Sequence, residues 1–289
     1  MKIILAQHFG MCFGVRDAIA QAEKLAQDAP LTILGELVHN PVVRERLRAH
    51  HIREGSLEAL QADSHRVMIT AHGASDARRA QWRSAGFDLV DGTCPLVRHA
   101  HEQLKQLVAT DYFPVVIGQA GHVEVRGLVE DFPEAIVVEI LSDLLKLPRR
   151  ERYGVISQTT QPIKRVYLMV AKLRSLFPAA EVRFVDTVCK PTKNRQVALQ
   201  TLMTEAEMIV VVGGRDSNNT RQLVATCRTA GRRTVHIERA EELRAADFAG
   251  IQVVGLTAGT STMRETVAAV QARLEEISAN QLHPTTRDK

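Results

Sequence analysis

The chain has 289 residues, 45% hydrophobic and 24% charged, with a formal net charge of +4 and a pI near 9.0. That length supports two or three small domains, and no run approaches the ~18 apolar residues a membrane span needs. The N-terminal apolar stretch is too short for a signal peptide, which predicts a cytoplasmic protein, and the positive balance points to anionic partners without separating nucleic acid from a phosphorylated small molecule.

In chain order, the buried run Ile3-Ile4-Leu5-Ala6 predicts a strand, then a loop holding Cys12 and Gly14, then an amphipathic helix over 15–26. A strand over 31–34 ends at Gly35, and one over 67–70 runs into the polar loop 71–75. The scheme repeats with a helix over 96–110, a strand over 114–117 ending at Gly118, and a strand over 153–156 leading into Ser157 to Thr160. It repeats again with a helix over 194–206, a strand over 208–212 ending at Gly213, and a strand over 253–256 leading into Thr257 to Ser261. The last helix is predicted to start at Thr262, which has capping-box spacing with Glu265, and to run to about 279. Residues 282–289 read as a disordered tail. Short apolar runs separated by helices predict an α/β fold of parallel sheets covered on both faces, in which the loops after the strand carboxyl ends line a ligand crevice.

Those loops recur at fixed offsets. Val-Asp-Gly-Thr-Cys-Pro at 90–95 and Val-Asp-Thr-Val-Cys-Lys at 185–190 set Cys94 and Cys189 95 residues apart, and each precedes a strand-ending glycine, Gly118 or Gly213, by 24. Cys12 precedes Gly35 by 23. Four residues after each glycine stands a polar group, His39, His122 or Ser217, and four after each cysteine a base, Arg16, Arg98 or Lys193. The pattern predicts three similar lobes, 1–93 with Cys12, 94–188 with Cys94 and 189–281 with Cys189, which share one metal site.

Three distant thiolates suit an iron-sulfur cluster better than structural zinc, which draws its ligands in close pairs such as Cys-x-x-Cys. With three protein ligands one iron stays open, able to act as a Lewis acid while the cluster delivers electrons. Cys227 lies in an apolar-periodic helix, away from every repeated offset, and reads as a packing residue. His39, His72 and His122, with Ser217, Asn218, Asn219 and Ser261 in the third segment, form a candidate anion cradle, since charge-assisted hydrogen bonds contribute about 1.5–3 kcal/mol each. His50, His51, His65, His99, His101, His236 and His283 read as ordinary loop or surface residues. Glu124, two residues after His122, is a candidate proton donor if burial raises its pKa, and Thr159 is a candidate for positioning a substrate hydroxyl.

The strings Gly10-Met11-Cys12-Phe13-Gly14-Val15, Glu36-Leu37-Val38-His39-Asn40, Ala71-His72-Gly73, Asp91 to Val97, His122-Val123-Glu124-Val125, Gln158-Thr159-Thr160 and Cys189 to Gln196 together resemble the LytB family of 4-hydroxy-3-methylbut-2-enyl diphosphate reductases. The resemblance spans residue 1 to about 279. It implies a pseudo-threefold trefoil of three α/β lobes around one central 4Fe-4S cluster, with Cys12, Cys94 and Cys189 as ligands and one iron open. It also implies reductive dehydroxylation of a small diphosphate to isopentenyl and dimethylallyl diphosphate, the last step of the non-mevalonate isoprenoid pathway. His39, His72, His122, Ser217, Asn219 and Ser261 would hold the diphosphate, with Asn218 beside them, while Glu124, Thr159 and His122 would serve the reacting end. No Gly-x-Gly-x-x-Gly stands between a strand and a helix, so electrons would come from an external ferredoxin or flavodoxin, with no nucleic-acid or membrane partner. Two positions depart from the family strings: Asn218, where serine is common, and Gln119, where histidine is frequent. A redox-neutral hydro-lyase and a non-catalytic iron-sulfur sensor or RNA-binding protein are the rival classes; low aromatic content and scattered bases weigh against the latter.

Overall fold

The structure is a computed structural model that describes residues 1–282; residues 283–289 of the expected tail lie outside the described residues. Strand β1 (Lys2–Leu5) leads to helix α1 (Phe13–Asp28). Four strands, β2 (Leu31–Leu34), β3 (Arg53–Gly55), β4 (Arg66–Ile69) and β5 (Asp88–Asp91), form a parallel sheet in the order β3-β2-β4-β5, connected through α2 (Pro41–Ala49) and α3 (Asp76–Ser84). After α4 (Pro95–Ala109), strands β6 (Phe113–Ile117), β7 (Ile136–Val138), β8 (Arg152–Ser157) and β9 (Glu181–Phe184) make a second parallel sheet, β7-β6-β8-β9, with α5 (Val123–Val129) and α6 (Ile163–Leu176). After α7 (Lys190–Glu205), strands β10 (Met208–Val212), β11 (Arg233–Ile237) and β12 (Val253–Ala258) form the third with α8 (Asn218–Thr229) and α9 (Arg264–Leu282). Its fourth strand is β1, paired in register from Lys2 with Val253 to Leu5 with Leu256.

All three sheets therefore run edge, centre, centre, edge: β3-β2-β4-β5, β7-β6-β8-β9 and β11-β10-β12-β1. Each cysteine follows the fourth strand of a sheet, so Cys94 belongs with the strands over 31–91 and Cys189 with those over 113–184. Cys12 joins the C-terminal sheet. Two of the sheets thus lie within the stretches 1–93 and 94–188, and only the third crosses a boundary, taking β1 from the first stretch into the sheet of 189–281, because β1 satisfies its backbone groups on β12 instead of on its nearest neighbours in sequence.

Two compact units divide the chain. One comprises Met1–Cys12, His39–Glu45 and the chain from Lys193; the other comprises Phe13–Val38 and Arg46–Thr192. In the first, α9 sets Val267, Val270, Leu274 and Ile277 against one face of the β10–β12 sheet. Leu199 and Leu202 of α7 and Leu223 and Cys227 of α8 cover the other face. Cys227 is fully buried, and burial pushes its thiol up to about 11, as befits a packing residue. In the second unit, α6 packs Val166, Val170 and Leu173 on one face of the β6–β9 sheet, and α4 and α5 pack Leu104, Leu107 and Leu128 on the other. Truncating any of these buried leucines to alanine costs about 2–5 kcal/mol.

The last helix begins at Arg264, and the Thr262 hydroxyl donates to the Val212 carbonyl at 3.0 Å instead of capping it. No helix among the described residues is long and apolar enough to cross a membrane.

Candidate active site

The three cysteines share one backbone device. Cys94 N–H donates to Ala71 O (3.1 Å), Cys189 N–H to Thr159 O (2.9 Å) and Cys12 N–H to Thr260 O (2.9 Å). In every sheet, then, the loop after the edge strand is tied to the loop after its central neighbour. A helix starts at the next residue each time, α1, α4 or α7, and helix starts present unpaired N–H groups and partial positive charge. All three thiols are half-buried and none forms a disulfide. Cys94 occupies the N-cap of α4, yet its side chain makes no capping bond. A Cβ on Gly14 would overlap Cys94 Sγ, which accounts for the glycine in the Cys-Phe-Gly string.

Behind Cys94 lies a network that sequence reading did not assign. Asp91 Oδ1 accepts the Thr93 N–H at 3.0 Å, and Asp186 Oδ1 accepts the Val188 N–H at 3.2 Å, so the recurring Val-Asp-x-x-Cys string encodes the same turn twice. Buried Arg79 donates to Thr93 Oγ1 (3.0 Å), pairs with Asp91 Oδ2 (3.2 Å) and donates to the Ala74 carbonyl, linking the cysteine loop to the loop of His72. Burial alone would raise the Asp91 carboxyl, but hydrogen bonds from Thr93 and the charges of Arg79 and Arg98 hold it below its usual value. The repeated Asp is the signal that points here.

The same unit holds His72, His122, Glu124 and Thr159. His122 N-caps α5: its Nδ1 accepts the Glu124 N–H at 3.1 Å, which assigns the proton of the neutral ring to Nε2. The rings of His72 and His122 stand edge to face with centroids 5.4 Å apart. Glu124 is only 2% exposed, and its Oε1 accepts the Thr159 N–H at 2.7 Å. Burial raises its carboxyl from 4.5 to about 7, against the opposing hydrogen bonds from Thr159. Buried Gln158 accepts the Gln119 N–H at 3.1 Å, which braces the loop before His122.

In the other unit, Ser217 N-caps α8, accepting the Thr220 N–H at 3.4 Å. Asn218 and Asn219 are buried in the first turn. Asn219 Oδ1 accepts the Thr260 N–H at 3.0 Å, leaving its Nδ2 to donate elsewhere. Ser261 Oγ is buried without a hydrogen-bond partner among the described residues, an orphan that a bound anion would satisfy. Asn40 anchors the segment that carries His39: its Nδ2 donates to Ser261 O at 2.8 Å and its Oδ1 accepts the Val42 N–H at 3.0 Å. A Cβ on Gly214 would overlap the His39 carbonyl, so backbone meets backbone there. Arg195 donates to Gly10 O, holding the loop before Cys12.

The recurring bases do not share a role: Arg16 pairs at the surface with Asp17, whereas Arg98 reaches Asp91. His236, read as ordinary, bonds Gly213 O at 2.8 Å, and His101 stands 3.1 Å from Asp131.

A profile of the family described as LytB protein matches residues 3–275. The chain belongs to the LytB family. It is 34% identical over 288 residues to the 4-hydroxy-3-methylbut-2-enyl diphosphate reductase of Aquifex aeolicus, a match covering 98% of this chain and 99% of that one. With the enzyme of the same name from Pelobacter propionicus it shares 36% over 281 residues, covering 96% and 99%. Among solved structures, the E-1-hydroxy-2-methyl-but-2-enyl-4-diphosphate reductase of Plasmodium falciparum matches with a TM-score of 0.88 at 26% identity, over 95% of this chain and 87% of that one. A structure described as (E)-4-hydroxy-3-methyl-but-2-enyl diphosphate reductase, the terminal enzyme of the non-mevalonate pathway, matches with a TM-score of 0.68 at 32% identity, over 96% and 100%. At the two departures from the LytB strings, Asn218 is buried at the start of α8, and Gln119 donates its backbone N–H to Gln158.

Proposed function

We propose that this chain is an oxidoreductase that removes the hydroxyl of (E)-4-hydroxy-3-methylbut-2-enyl diphosphate, giving isopentenyl and dimethylallyl diphosphate in the terminal step of the non-mevalonate isoprenoid pathway. LytB membership supplies the reaction. The observation that carries it onto these residues is Glu124, a buried carboxyl that half-holds its proton near neutral pH and is bonded to the Thr159 loop, which also receives the Cys189 N–H.

The proposed cofactor is one 4Fe-4S cluster with Cys12, Cys94 and Cys189 as ligands and one iron open. Three half-buried sulfurs in equivalent loops, clearance at Gly14 for Cys94 Sγ and cysteines outside disulfides suit such a group, and a reducing cytoplasm keeps thiols in that state. When bound, the cluster supplies single electrons and a Lewis-acidic iron. The chain's own residues bind and protonate. His39, His72, His122, Ser217, Asn218, Asn219 and Ser261 hold the diphosphate, His122 through Nε2 and Asn219 through Nδ2. Thr159 holds the substrate hydroxyl, and Glu124 gives the proton with which it leaves as water. The substrate takes up two electrons and two protons in all, and protonation at either end of the allyl unit yields the two products. A ferredoxin or flavodoxin type donor supplies the electrons.

The test is anaerobic turnover of reconstituted protein with a strong one-electron reductant. Both five-carbon diphosphates are expected, and they should be lost in Cys12→Ser and Glu124→Gln. Failure by protein with full cluster absorbance would sink the reading, and turnover without reductant would move it to a redox-neutral hydro-lyase.

A further inference from the structure

Eight large apolar side chains are exposed among the described residues, and five of them occupy two adjoining elements. Ile140, Leu141 and Leu145 stand at the 3-10 turn after β7, and Tyr167 and Leu168 on α6, each between 43 and 68% exposed. The turn and the helix are joined: Arg165 donates to Glu139 O, and Leu144 and Leu147 pack with the buried face of α6. Leu168, three residues from Arg165, lies on the same side of the helix as the arginine that bonds the turn. Clustered apolar exposure of this kind marks an interaction surface.

Charge indicates what binds there. Helix α6 carries Lys164, Arg165, Lys172 and Arg174 and no carboxylate. Lys164 and Arg165 stand in its first turn, where the helix dipole disfavours cations. Among the described residues Lys164 and Lys172 make no ion pair. This positive charge is therefore available to a partner, and a second copy of the chain would set like charges against each other.

The face also leads to a proposed cluster ligand. Tyr167 Oη donates to Asp186 Oδ2 at 3.3 Å, and the Tyr167 ring lies 5.9 Å from that of Phe184. Asp186 precedes Cys189 by three residues and accepts the Val188 N–H. The N-terminus of α6 follows the loop whose Thr159 carbonyl receives the Cys189 N–H.

We propose that the exposed face of α6 and the adjoining turn is the docking surface for a small acidic one-electron carrier protein, which delivers electrons beside Cys189. The proposal rests on the reductase reading. Each encounter oxidises the carrier by one electron, and two encounters with two protons convert the allylic alcohol to alkene and water.

Reconstituted holoenzyme is assayed with reduced flavodoxin, an acidic carrier, and in parallel with reduced methyl viologen, using Lys164→Glu/Lys172→Glu and Leu168→Asp. The KM for flavodoxin should rise about tenfold in the charge reversal, with a flatter dependence on salt, while turnover with methyl viologen stays at the wild-type rate and certifies folding. Calorimetric binding of oxidised flavodoxin should weaken in step. An unchanged flavodoxin KM and salt dependence would overturn the proposal, as would light scattering that shows a dimer dissociated by these substitutions. Wild-type protein inactive with both reductants would remove the reductase reading instead, and the binding titration would still decide the surface.

Discussion

The β6–β9 sheet and the sheet of β10, β11, β12 and β1 have the same strand order, yet they differ at one matched position. In the first, Glu124 is the second residue of α5, and its carboxylate accepts the N–H of Thr159, whose carbonyl receives Cys189. In the second, Asn219 is the second residue of α8, and its amide oxygen accepts the N–H of Thr260, whose carbonyl receives Cys12. Both stand six residues after a strand-ending glycine. One scaffold bond thus serves two chemistries: the carboxyl can hold or release a proton, whereas the amide is neutral at every pH and keeps an N–H for an anion.

The largest expected effect of breaking that difference is on turnover. Glu124→Gln keeps an oxygen for the Thr159 N–H but removes the proton, and general-acid catalysis contributes about 10²–10⁴-fold. Single-turnover rates should fall by that order with the KM for substrate little changed. In the wild type kcat should decline as pH rises through about 7, where Glu124 loses its proton. A Gln variant with an undiminished rate would assign the proton elsewhere.

The next effect is on stability. Burial raises Glu124 from 4.5 to about 7, so between those values the native state binds a proton the unfolded chain has lost. Stability is fully present below 4.5 and declines as pH rises through about 7, by about 3 kcal/mol. Urea unfolding should find Glu124→Gln and wild type alike at pH 4 and the variant more stable at pH 8. A gap independent of pH would contradict the raised value.

The six-residue offset from glycine is present in the sequence, but Glu124 and Asn219 look unrelated there, because a carboxylate and an amide differ in charge and only the fold shows that both accept a loop N–H. Central strands β2, β4, β6, β8, β10 and β12 were legible as continuous apolar runs. Edge strands β3, β5, β7, β9 and β11 were not: Arg53–Gly55 is three residues long, and Glu181–Phe184 alternates exposed with half-buried positions. Pairing of β1 with β12 left no local mark, since it joins residues some 250 apart. Arg79 was hidden for another reason, as its helix Asp76–Ser84 offers Trp82 as its one large apolar side chain among charged, polar and small residues and so resembles a solvated surface.

The smallest expected effect completes the contrast. Asn219→Ala leaves the buried Thr260 N–H without its acceptor, a loss of about 1–2 kcal/mol. Because no titrating group is removed, the loss should be the same at pH 5 and pH 8, where the Glu124 variant changes most. Substitution by Asp restores an acceptor oxygen but places a carboxylate among the proposed diphosphate ligands. It should therefore recover stability while raising the substrate KM, whereas Ala lowers stability. If Asp and Ala raised KM equally, the contribution of Asn219 would be its Nδ2 hydrogen bond alone. A larger effect for Asp would show that neutrality at this position is itself a requirement, the counterpart of the proton that Glu124 holds in the other sheet.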